Sequence, residues 1–140
     1  MSLGLDNALS HYRSLSDSTH KFWGYFQLVA IASVGYVWAP HVEHTQEPLL
    51  LFSILGLAFG VFVLLNWRLV VISQADAVNA ADCLKKYAAK VEVPAELKPI
   101  IDRIQPDSAF RVGTWHAALS LAALAAIGWR YHSVWGHLTP

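Results

Sequence analysis

Seven histidines stand among 140 residues, and two of them, His41 and His44, bracket Val42 and Glu43 in the run HVEH. Imidazole nitrogens beside a carboxylate form a donor set that zinc or copper accepts once another stretch of chain completes the coordination. Neither a CxxC nor an HExxH pattern accompanies them, so these histidines read first as solvated loop side chains, and no metal is assigned. A haem held between helices needs imidazoles at membrane depth on facing helices; only His116, with His20 at a similar level, comes near, and no cofactor is expected. Ser33, Ser53 and Ser120 are isolated hydroxyls of the kind that bond back to their own helix. With no nucleophile elbow, phosphate loop, dinucleotide fingerprint or deaminase signature, the chain does not read as an enzyme.

A second set of chemically expressive residues lies inside apolar runs, where a polar group is costly unless it faces a bundle interior or water. Gln27, Asn66 and Arg68 are the candidates for a pore lining or gate; interhelical hydrogen bonding is the plainer role for Gln27. Arg68 follows Asn66 and Trp67 about one bilayer thickness after Leu49, a position from which it can snorkel to lipid phosphate.

Three elements must position these groups. The runs at residues 22–38, 49–72 and 112–133 are each long enough to approach the ~30 Å hydrocarbon core. Charged residues make up only 14% of the chain, aromatics 12%, six of them Trp, and the formal net charge is zero, a composition that points to a membrane and away from nucleic acid. One cysteine, Cys83, excludes an intrachain disulfide framework. The first 20 residues are polar and lack the apolar core of a signal peptide, so the chain is expected to be retained whole.

Arg13 and Lys21 precede the first run; Arg68, Lys85, Lys86, Lys90, Lys98, Arg103 and Arg111 lie between the second and third; Arg130 alone follows. The excess of positive charge places the N-terminus and the long middle segment in the cytoplasm and the C-terminus outside. Trp23, Trp67 and Trp115 then fall at the inner boundary, and Trp38, Trp129 and Trp135 near the outer one, where an amphipathic indole is best placed. The expected fold is all-α, a single membrane domain over residues 1–140. It has three transmembrane helices in the plasma (inner) membrane and a cytoplasmic helical hairpin extending span two, with helices at residues 74–91 and 95–105.

Within lipid, small residues let helices approach, and Gly56 with Gly60, and Ala118 with Ala122, are the expected packing positions. Past the membrane, Val78, Ala81, Leu84 and Tyr87 recur every three or four residues on one helix face, an apolar stripe that calls for a partner and reads as an assembly element. The basic cluster of Lys85, Lys86 and Lys90 could attract anionic lipid, RNA or a nucleotide signal, but acids in the same segment nearly cancel it and a solvated helix face is the favoured reading, with a cytoplasmic protein as a further partner.

Two spans joined by a short outer loop, the second running on as a cytoplasmic helix, form a plan over about residues 20 to 92. That plan resembles the small prokaryotic membrane effectors of the SLATT type, and in size the chain is similar to small CRISPR-associated membrane proteins. The resemblance implies a pore or membrane disruptor in antiviral defence and carries over no site residue; three spans are few to enclose a polar pathway in one chain, which points to a homo-oligomer. The reading from sequence is therefore a homo-oligomeric protein that forms or gates an ion-conducting pore. Its rival is a non-conducting membrane anchor, assembly or immunity protein that binds a partner through its cytoplasmic helices.

Overall fold

The computed structural model describes residues 4–40 and 47–138, excepting the side chains of residues 137 and 138. Among the described residues every regular element is helical: α1 (Leu5–Val37), α2 (Pro48–Ala88), α3 (Lys98–Arg103) and α4 (Ala109–Leu138). Pro48 opens α2, where a missing N–H costs nothing. Lys85 and Lys86 occupy its last turn, facing the negative end of the helix dipole. Ser108 caps α4 by accepting a hydrogen bond from the Arg111 N–H at 3.2 Å, as the Pro-Asp-Ser turn leads one to expect. Arg111 also pairs with Asp107 at 2.7 Å on the exposed surface, a contact of little energetic weight.

Two helices, α2 and α4, are long and apolar enough to cross a membrane, and only 22% of each apolar window is buried within the chain. The core helix of a soluble protein would be mostly buried. The apolar part of α1 does not single itself out in the same way, because Gly24, Gln27, Ser33 and Gly35 dilute it.

The chain divides into two compact units, with the divisions at Phe22/Trp23, Arg68/Leu69 and Gly113/Thr114. One unit holds the C-terminal part of α1, the first half of α2 and nearly all of α4. Phe26, Val37, Phe52, Phe59, Val63, Ile127 and Val134 form its core. The other holds the N-terminal part of α1, the second half of α2, α3 and the start of α4, and buries Val70, Ala77, Ala81, Leu84 and Ile101.

Buried positions recur with a seven-residue period. On α2 they include Phe52, Phe59, Val63, Asn66, Val70, Ser73, Ala77, Ala81 and Leu84, and on α4 His116, Ser120, Ile127 and Val134. Steps of three and four residues mark a narrow seam of the coiled-coil type. Polar side chains are prominent in it: Ser33, Asn66, Ser73, Gln74, His116 and Ser120 are buried, while Leu28, Ile31, Leu57, Leu64 and Leu121 are exposed. Apolar outward and partly polar inward is the arrangement a lipid solvent selects, since internal partners are the only ones available to a polar group there.

Three expectations change at this level. The N-terminal segment read as polar is helical from Leu5. Its half-buried residues Leu5, Ala8, Tyr12 and Leu15 and the buried Thr19 lie three or four apart, an amphipathic stripe weak enough to be lost among its serines. This stripe supplies cover for α2: Ala8 and His11 line one cleft with Ala80, Leu84 and Tyr87. The proposed assembly stripe is thereby partly used within the chain, with Ala81 and Leu84 buried and Val78 and Tyr87 half-buried. The short helix expected over 95–105 spans Lys98–Arg103, with Pro99 in its first turn.

Candidate functional site

In the unit that contains Trp23–Arg68, three polar side chains converge from two helices. Asn66 on α2 meets His116 on α4, Nδ2 to Nε2, at 3.0 Å. One turn along α4, Ser120 Oγ lies 3.3 Å from His116 Nδ1 and donates its hydroxyl proton to the His116 carbonyl at 2.7 Å. One assignment satisfies every atom. The Asn66 amide donates to Nε2, the ring carries its proton on Nδ1 and donates to Ser120 Oγ, and Ser120 donates to the backbone. The serine proton is thus committed to a carbonyl and the ring nitrogens to Asn66 and Ser120. That is a hydrogen-bonded joint between α2 and α4, not the geometry of an activated nucleophile.

Aromatic side chains from α1 close the joint. The His116 ring is fully buried, with its centroid 4.2 Å from that of Phe26 and 5.4 Å from that of Trp23. Trp23 and Phe26 meet edge to face at 5.9 Å, a favoured geometry for such pairs.

A second joint ties α1 to α4 near Arg130. The last turn of α1 carries no basic residue of its own. Arg130 supplies the charge from α4, donating from Nε to the Val37 carbonyl at 3.4 Å and lying 5.3 Å above the Trp38 ring. A helix C-terminus and an indole face both attract a cation. Arg130→Ala is expected to destabilise the protein by about 1–2 kcal/mol, and Arg130→Lys to recover less than half of this because an ammonium lacks the planar fork. Denaturant unfolding in micelles, followed by Trp fluorescence, measures both.

The other unit is pinned by hydroxyl and amide contacts. Thr19 Oγ1 donates to the Leu15 carbonyl at 3.3 Å and stands 2.8 Å from Ser73 Oγ, which is therefore the donor of that pair. Gln74 Nε2 donates to the Asp107 carbonyl at 2.6 Å, fastening the chain ahead of α4 to α2.

The remaining predicted site residues separate. Asn66 is buried, whereas Gln27 and Arg68 are exposed, so the three do not form one lining within the chain. Gly56 approaches α4, where a Cβ would meet Ile127 Cγ2 at 3.9 Å, but a Cβ at Gly60 would meet nothing within 4 Å. Ala118 and Ala122 are exposed. The packing of α4 within the chain uses His116, Ser120 and Ile127 instead, a quarter-turn or more around the helix from these alanines. His41 and His44 lie outside the described residues, and among those described no three His, Cys, Asp or Glu side chains gather as a metal site. His20 and His132 are exposed.

The pairing of Asn66 with His116 was not read from sequence, although a signal existed. Asn66 precedes Trp67 and His116 follows Trp115, two indoles assigned to the same boundary, which sets both polar residues at one depth. What the sequence lacked was their facing. The chain matches no protein-family model, no curated protein and no solved structure.

Proposed function

We propose that the chain is a multi-pass plasma-membrane protein that crosses three times, N-terminus inward, and acts as a membrane-embedded anchor or assembly protein. In this reading the unit holding Leu69–Gly113 is the cytoplasmic part that meets a partner. The observation that carries it is the polarity of the spanning unit, whose buried polar side chains Asn66, His116 and Ser120 are spent on one another while its outward face is leucine, isoleucine and valine. Such a unit seals a membrane and offers no conduit of its own. Three crossings are supported by the division between the units, which falls within two residues of Trp23, Trp67 and Trp115. On the cytoplasmic unit, a cleft of about 420 Å³ between the end of α2 and α3 carries Lys85, Lys98 and Asp102 beside Val91, Val93 and Ile101. Its mixture of apolar floor and charged rim suits a protein segment.

Gln27 favours the second reading, a homo-oligomeric ion-conducting pore: it is an exposed amide on the apolar part of α1, and several copies could turn it toward a shared axis. Native mass spectrometry and ion flux in liposomes separate the two. A monomer or dimer without conductance supports the anchor, and a ring of four or more copies that conducts replaces it with the pore.

Orientation has a built-in probe. Cys83 is the chain's one cysteine and is exposed. A membrane-impermeant maleimide is expected to label it in inverted vesicles and leave it untouched in sealed right-side-out ones. The reverse pattern would overturn the N-in orientation.

A further inference from the structure

On the outward face of the spanning unit, α2 and α4 leave an apolar groove of about 610 Å³, lined by Gly56, Gly60, Leu64, Trp67, Ala117 and Leu121 among others. This volume lies within the range of small-ligand sites. The groove stays open because of its glycines: a Cβ at Gly60 would enter open space. Along α2 it runs from Gly56 to Trp67, which at 1.5 Å per residue is about 16 Å, or roughly half of a ~30 Å hydrocarbon core. It therefore spans one leaflet, a length that fits an acyl chain better than a helix, which would use the full thickness.

The groove ends at a cation. Arg68 lies four residues after Leu64, hence on the same side of α2, and it is exposed. Apart from Arg130 near the far end of α4, the unit has no other Lys or Arg, and its acids, Glu43 and Glu47, sit before the start of α2. An unopposed guanidinium directly after an indole, one turn past the groove residue Leu64, matches the phosphate of a lipid whose tail lies in the groove.

We propose that this groove binds one phospholipid, its acyl chain along Gly56 to Trp67 and its phosphate at Arg68, with preference for an anionic headgroup. Placing that lipid in the inner leaflet rests on the orientation proposed above; the groove and its cation do not, and Cys83 labelling tests orientation separately. The full-length protein, purified in detergent and titrated with phosphatidylglycerol, is to be examined by native mass spectrometry.

One retained phosphatidylglycerol per chain is expected. Gly60→Leu and Ala117→Leu, which fill the groove from opposite walls, should each abolish retention with helicity unchanged. Arg68→Gln should weaken it about fivefold, and Lys86→Gln, on the other unit, should leave it unchanged. Equal retention by the wild type and both filled variants would overturn the proposal. A wild-type dimer that the filled variants break, without bound lipid, would overturn it too, by making a second copy the occupant.

Discussion

His116→Ala is expected to cost about 3 kcal/mol of unfolding free energy in micelles, among the largest effects of any single change in the spanning unit. The fully buried ring fills the space between Phe26 and Trp23 and accepts from Asn66, so its loss opens a cavity and removes one acceptor from the Asn66 amide together. Two further variants separate these causes. His116→Phe keeps a ring of similar size against Phe26 but leaves the Asn66 amide without this acceptor, and should cost about 1–2 kcal/mol. Asn66→Leu orphans Nε2 from the other side, with a cost of the same order. Combining them removes both polar partners, and the double variant should be more stable than the sum of the singles predicts, by about 1 kcal/mol. Strict additivity would mean that the two side chains are not paired in the native protein.

The cluster also marks how far sequence reasoning reaches. The helical character, the long unbroken α2, the cap at Ser108 and two candidate spanning helices follow from run length, turn chemistry and the absence of Gly and Pro after Gly60 in α2. Trp23, Trp67 and Trp115, expected at one boundary, lie within two residues of the points where the units divide.

Facing was not legible in the spans. Where nearly every residue is apolar, hydropathy has no period, and the buried seam is written instead in the few polar residues, Ser33, Asn66, His116 and Ser120. Asn66, read as a possible lumen group, turns inward with the other three. Among the small residues, Ala118 and Ala122 share a face that stays exposed within the chain, where α4 packs through the face holding His116 and Ser120; lipid and protein are equally apolar partners for alanine.

The stripe on the second half of α2 presents the opposite case, a periodicity that was legible and is partly used within the chain. Ala81 and Leu84 are buried, and the cleft beside Leu84 is closed by Ala8 and His11 of α1. Leu84→Ala is therefore expected to cost about 3 kcal/mol, the usual size for a leucine with no exposed surface. The loss should be local, since amides open in cooperative units that follow packing. Hydrogen exchange should rise in Leu5–Phe22 and in the second half of α2, and trypsin should cut faster after Lys85 and Lys86. Exchange in the unit holding Asn66 and His116 should stay unchanged. Val78→Ala, at a half-buried position, should do the same more weakly. If the stripe served instead as a seam between copies, Leu84→Ala would lower the subunit count in native mass spectra while Leu5–Phe22 kept its protection. Because the N-terminal helix is the element that covers Leu84, the two outcomes cannot coincide: protection lost with the subunit number unchanged identifies an intramolecular core, and protection kept with subunits lost identifies an interface.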